Sequence, residues 1–181
     1  MISIFGSLSL SLGLGMAAIC IFLFSIFLNN NKYRFFIAGN RAAIVVSALS
    51  ILATFLLLNE LLVSNFDVNY VAHYTSLETP LLYKITALWA GQSGSLLFWL
   101  FILSIYTLIV IFQNRNSFTN LLPWVIIVLV VVQAFFLLLV IFVENPFAPT
   151  TADFVVANGN GLNPLLQNLT MAIHPPTLYL G

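Results

Sequence analysis

Four long apolar runs divide the chain, separated by shorter polar stretches. The first extends from about Ile4 to Leu28 and the second from Ala42 to Leu62. The third is uninterrupted from Leu96 to Phe112, with an outward extension over Thr86 to Trp89, and the fourth runs from Leu121 to Val143. A hydrocarbon core of about 30 Å asks for roughly 20 residues at about 1.5 Å per residue, so each run predicts a transmembrane helix. Pro123 falls in the first turn of the fourth, where its missing N–H costs little. Polar stretches join the runs at Asn29 to Arg41, Val63 to Ile85 and Gln113 to Asn120, and a tail follows from Glu144. The opening M-I-S-I-F-G-S has no Lys or Arg. The run behind it exceeds the roughly 7–15 apolar residues of a signal peptide, so the first helix is expected to be retained.

Composition strengthens this pattern. Hydrophobic residues make up 61% of the chain and charged residues 6%, against about a quarter charged in an ordinary soluble domain. A fold of this length with so few charges requires lipid as its solvent. The formal net charge is zero, which gives no case for nucleic-acid binding. Cys20 is alone and lies inside the first run, where it reads as a small buried hydrophobe.

Placement of the charges predicts an orientation. Lys32, Arg34, Arg41 and Arg115 fall in the first and third connections, and Lys84 is the one basic residue at the other end. By the positive-inside rule the first and third connections face the cytoplasm or its organellar equivalent. Both termini and the Val63 to Ile85 connection are then expected outside. The acids Glu60, Asp67, Glu78, Glu144 and Asp153 all lie at or beyond the outer ends of spans.

The expected fold is therefore all-α and integral to the membrane. Residues 1–143 form the four-helix region, and residues 144–181 form a polar, non-cytoplasmic segment. Asn, Gly and Pro are dense in the first part of that segment, which argues against a fifth span there. Leu165 to Ile173 has apolar residues at helical spacing and predicts a short helix at the interface.

Candidate chemistry is sparse. Phosphate-cradling G-x-x-x-x-G-K and H-E-x-x-H motifs are absent, and the histidines are His73 and His174. A self-contained hydrolytic or metal site needs more convergent polar groups than these. His174 stands in A-I-H-P-P-T-L-Y-L-G. Pro175 and Pro176 bias it toward an extended backbone, which would hold its imidazole on a stiff, non-helical stalk fit to ligate haem iron. On these residues alone, a histidine in an interfacial turn without a ligand is the plainer reading.

Before the third span, L-W-A-G-Q-S-G-S-L-L-F-W-L places Gly91 and Gly94 where the chain enters the bilayer, flanked by Trp89 and Trp99. The glycines suit close packing against a helix or a haem edge, and equally a simple break at the helix start. His73 reads first as an interfacial residue without a ligand. Glu60 reads as a snorkelling or paired carboxylate, and Asn168-Leu169-Thr170 matches a glycosylation acceptor that arises often by chance.

Taken together, these motifs resemble a known family. Gly161, Leu162, Asn163, Pro164, Leu165, Leu166 and Gln167, then Ile173, His174, Pro175, Pro176, Leu178, Tyr179 and Gly181, match the G-x-x-L-N-P-L-L-Q and I-H-P-P-x-L-Y-x-G segment of the CcmF/NrfE/CcsA haem lyases, cytochrome c-type biogenesis proteins, except that the stretch here begins Asn160-Gly161-Leu162-Asn163, with Gly161 directly before Leu162. The run Trp89 to Trp99 is similar to that family's W-x-G-x-x-G-S-L-L-x-W, and Asn145-Pro146-Phe147 and Tyr70-Val71-Ala72 resemble its N-P-F and Y-V-A.

The resemblance implies haem handling on the outer face of a bacterial inner membrane, or the inner membrane of an organelle. Haem would come from the chaperone CcmE and be attached to C-x-x-C-H thiols of apocytochrome c alongside other Ccm components. It assigns His174 as an axial haem ligand, with Pro175, Pro176, Trp89, Gly91 and Gly94 around the cofactor, whereas His73 stands one residue early for the family's Y-V-A-x-H. The family's tryptophan-rich segment and second outer histidine have no counterpart in these residues. The chain is thus expected to be the N-terminal piece of a longer or split lyase and inactive alone. A non-catalytic transmembrane scaffold or a transporter subunit is the competing expectation, although the span centres carry no charge.

Overall fold

The computed structural model describes residues 2–114, 121–150 and 157–180, so Arg115, Asp153 and Gly181 lie outside the described residues. Four helices are long and apolar enough to cross a membrane: α1 (Ile2–Asn30), α2 (Tyr33–Val63), α5 (Gln92–Gln113) and α6 (Leu122–Phe142). Two short helices, α3 (Asn69–Tyr74) and α4 (Leu81–Thr86), and a 3-10 turn at Ala87–Trp89 lie between α2 and α5. A 3-10 turn at Pro164–Leu166 and helix α7 (Leu169–Leu180) follow α6. The chain is an integral membrane protein.

The long helices close into a ring in which α1 packs on α2 and α6, and α5 packs on the same two neighbours. Leu10, Ala17, Cys20 and Phe24 of α1 meet Ala43, Val46, Ala53 and Leu57 of α2, Leu97 and Leu100 of α5, and Ile126, Val130 and Leu137 of α6 in one buried core. Outward positions are apolar as well, with Phe22, Phe55, Phe112, Val128 and Phe135 exposed. In water that surface would aggregate. In lipid it is the side that faces the acyl chains.

The first connection is far shorter than the polar stretch Asn29 to Arg41 predicts. Only Asn31 and Lys32 lie outside helices, and α2 begins nine residues before the predicted span. Asn31 takes the left-handed conformation at φ 50°, and its N–H donates to the Phe27 carbonyl at 2.7 Å. Asparagine tolerates that conformation better than most side chains, so it ends α1 and reverses the chain in one step. Phe36 in the first turn of α2 then packs on Phe24 and Phe27, at ring separations of 6.1 and 5.5 Å.

The opposite end carries a cap. Asn69 N–H donates to the Ala148 carbonyl and Thr150 N–H to the Asp67 carbonyl, both at 2.9 Å, pairing the segment after α6 with the segment after α2. The Asn-Gly run then lies along α3: Asn160 N–H donates to the Ala72 carbonyl at 2.8 Å, and Gly161 N–H to the Thr75 carbonyl at 3.1 Å. A Cβ at Gly159 would overlap the Thr75 carbonyl, which explains glycine there.

Helix α7 departs from expectation in two ways. The helical residues start later than predicted, with Leu165 in the 3-10 turn, and they continue through His174, Pro175 and Pro176. The prolines remove the N–H groups that would bond the Met171 and Ala172 carbonyls, yet their fixed φ suits a helix and tertiary contacts hold the rest. His174 is therefore in a helix rather than on an extended stalk. Nor does α7 lie flat. It runs parallel to α5, with Pro175 near Trp89 and Tyr179 against Phe98 and Trp99.

Candidate functional site

The glycines of the tryptophan–glycine motif are buried, and two tyrosines of α3 account for them. Tyr70 and Tyr74 are four residues apart, so both rings project from one face of α3, 4.7 Å between centroids. A Cβ at Gly91 would overlap the Tyr74 ring, and one at Gly94 would overlap the Leu88 carbonyl and the Tyr70 hydroxyl. The close approach read from the glycines is thus made by the α3 tyrosines.

The Tyr70 hydroxyl donates to the Ala87 carbonyl at 2.8 Å and accepts from the Gly91 N–H at 3.1 Å. It thereby ties α3 to both sides of the break between the 3-10 turn and α5. Burial pushes its ionisation well above the ordinary tyrosine range, so it remains a donor. Tyr74 had no role in the sequence reading, and Tyr70 entered it only through the resemblance of Tyr70-Val71-Ala72 to the family's Y-V-A. The signal that points to them is the pair of glycines, since a buried gap requires something to fill it.

On the other side of the same motif stands α7. Trp89, Thr86 and Ala90 line a cavity of about 50 Å³ with Leu162, Met171 and Pro175. Trp89 packs on Phe98 at 5.1 Å, while Tyr179 contacts Phe98 at 5.8 Å and Trp99 at 4.9 Å. Trp99 in turn stacks on Phe136 of α6 at 5.7 Å. The two motifs separated by some seventy residues are therefore one packed unit.

His174 sits on the outward side of this unit. Tyr179 lies about 10 Å along α5 from Gln92, and His174 is about 7.5 Å up α7 from Tyr179, both at about 1.5 Å per residue. The imidazole thus stands near the level where α5 begins. It is exposed, and its ring has no hydrogen-bond partner among the described residues. One turn away on either side, Met171 and Leu178 are exposed apolar neighbours.

This arrangement fits half of a haem site: one free imidazole beside an apolar shelf. The cavity behind it has room for water but is far below the roughly 300–1,000 Å³ of an enclosing ligand pocket.

The remaining candidates are placed elsewhere. His73, also exposed, spends Nδ1 on the Asn69 carbonyl at 2.9 Å. Glu60 does not snorkel; it is 1% exposed and accepts from Asn65 Nδ2 at 2.8 Å. Lys84 donates to the Ser64 hydroxyl. The described residues contain no His/Cys/Asp/Glu cluster suited to a metal ion.

Comparison with known proteins agrees with this convergence of motifs. The chain is 35% identical over 134 residues to the cytochrome c-type biogenesis protein CcmF of Escherichia coli K12, covering 74% of this chain and 21% of that protein. It is 40% identical over 120 residues to CycK of Rhizobium meliloti, covering 65% of this chain and 17% of the relative. The chain thus spans about a fifth of the length of these curated relatives. A solved structure described as cytochrome c heme lyase CcmF superposes with a TM-score of 0.81 over 99% of this chain and 28% of its own, at 23% identity, and so shares the fold. The family described as cytochrome C assembly protein matches residues 89–181, the stretch from Trp89 through the His174 motif, and the chain belongs to that family.

Proposed function

We propose that the chain presents haem at the outer membrane surface during cytochrome c maturation, as the N-terminal part of a CcmF-type haem lyase. One observation carries this reading: His174 is exposed and has no hydrogen-bond partner among the described residues, on a helix anchored by Tyr179, in the segment that matches the assembly family. The relative in Escherichia coli is a cytochrome c-type biogenesis protein by name, and the structural neighbour is a cytochrome c haem lyase.

Haem is the cargo, and its iron takes a neutral imidazole nitrogen as an axial ligand. His174 supplies that nitrogen, and Pro175 and Pro176 fix the backbone that carries it. Trp89 supports the shelf from behind through Pro175 and Phe98. Gly91 and Gly94 act at one remove, by seating Tyr74 and Tyr70. The region 144–181 is in this reading the haem-facing segment laid on the four-helix region 1–143. A chaperone such as CcmE, other Ccm components and apocytochrome c approach from the same side.

The basic end, with Lys32, Arg34 and Arg41, supports an orientation in a bacterial inner membrane that leaves both termini outside. An impermeant thiol reagent in intact cells checks this with single cysteines. Thr150→Cys should react and Lys32→Cys should not, and the reverse pattern would overturn the orientation.

His174→Ala in the complete maturation system should abolish c-type cytochrome formation, with partial recovery on adding imidazole, which is small enough to fill the vacated coordination position. Maturation at the wild-type rate with an unchanged haem spectrum would remove the central support. That result would select the scaffold reading, which the small cavity behind α7 favours.

A further inference from the structure

A second concavity lies at the other end of the bundle. A groove of about 590 Å³ runs between α1 and α2, walled by Met16, Ile19 and Leu23 on one side and Ile37 and Val45 on the other, with Arg34 and Arg41 along it. Arg34 and Arg41 are seven residues apart, so they share one face of α2 and Arg41 lies two turns, about 10 Å, further into the bundle. Because the connection is only two residues long, both arginines are carried on regular helix.

These arginines lack anions. Both are exposed, and neither has an ion pair among the described residues; Arg34 lies over its neighbour Phe35 at 4.8 Å. The acids among the described residues, Glu60, Asp67, Glu78 and Glu144, lie toward the opposite end, and the sequence of the connection 115–120 contains none. The N-terminus of α2 adds to the positive field, since Lys32 provides no side-chain cap for its first N–H groups. A guanidinium two turns into a lipid-facing helix is costly unless it reaches an anion at the headgroup level.

We propose that this groove is a binding site for one anionic phospholipid of the leaflet at the basic end. Its phosphate is held between Arg34 and Arg41, and an acyl chain lies along Met16, Ile19 and Val45. Arginine is suited to this because its planar fork meets phosphate oxygens bidentately. Basic pockets between transmembrane helices hold lipid headgroups by this chemistry. The apolar wall below the arginines distinguishes a lipid from a free phosphate ion, which would have no use for it.

The test reconstitutes the whole chain in phosphatidylcholine bilayers and measures the motionally restricted fraction of spin-labelled phosphatidylglycerol against spin-labelled phosphatidylcholine. Phosphatidylglycerol should be preferred. Arg34→Gln and Arg41→Gln should each lower the preference about fivefold, while Lys32→Gln, outside the groove, should leave it within a factor of two. Val45→Trp fills the apolar half without changing charge, and it should reduce bound phosphatidylglycerol even if an arginine variant fails to fold. Inorganic phosphate at millimolar concentration should not compete. Equal restriction of both lipids, a preference untouched by Val45→Trp, or competition by inorganic phosphate would each overturn the proposal.

Discussion

The buried motif at Gly91 and Gly94 and the exposed motif at His174 lie back to back, yet they are held in opposite ways. Around Gly94 the place a side chain would take is filled by the Leu88 carbonyl and the Tyr70 ring, which is itself pinned by hydrogen bonds. Around His174 only one side of the helix is engaged; Ala172 is buried while Met171, Ile173 and Leu178 are exposed. The contrast separates two reasons for a motif to exist. One set of residues is there because the backbone leaves no alternative, and the other because something must be offered to a partner.

Substitutions can break this contrast, and their effects on stability should fall in a definite order. Gly94→Leu comes first. The clash is with a backbone carbonyl that cannot swing aside, so the loss should reach or exceed the roughly 1–3 kcal/mol of an overpacked core. Thermal unfolding in detergent measures it, and an unchanged midpoint would show that the break before α5 is soft. Tyr70→Phe comes next. It leaves the buried Gly91 N–H without its acceptor and should cost about 1–3 kcal/mol.

Tyr179→Ala should be smaller and local. The ring is half-exposed, so its contacts with Phe98 and Trp99 fall at the low end of the range for aromatic pairs, about 0.5 kcal/mol each beyond burial. Hydrogen exchange should rise over Leu169–Leu180 while α5 stays protected; loss of protection in α5 as well would show that α7 supports the bundle rather than the reverse. His174→Ala should change stability least, within about 0.5 kcal/mol as expected of an exposed position. A large loss there would mean that the imidazole has a structural partner and that the contrast fails.

The same two regions show what sequence reasoning reaches. The spans were legible because lipid imposes a length and forbids charge, so α6 differs from its predicted bounds by a residue at each end. The first connection misled because Asn29, Asn30, Asn31 and Lys32 look like a loop, whereas a single left-handed Asn31 suffices to turn the chain. The His174 backbone misled because the local bias of a residue before proline is weaker than the packing of Tyr179. The glycines announced a close approach, but its agents, Tyr70 and Tyr74, come from about twenty residues upstream and no local pattern names them. Gln133 escaped as well. Fully buried in the middle of α6, it donates to Thr107 of α5 at 2.6 Å, a polar link that hydropathy alone reads as a blemish in an apolar run.

The two-residue turn at Asn31 and Lys32 also bears on how the chain enters its membrane. With no slack between them, α1 and α2 cannot choose their directions separately; whichever side retains Lys32, Arg34 and Arg41 decides both. The first helix has no charged residue of its own, so the basic residues just after it bear on the direction of both helices at once. The pair must therefore be threaded as a hairpin, and lengthening the turn with a flexible insert would release α1 to adopt either direction.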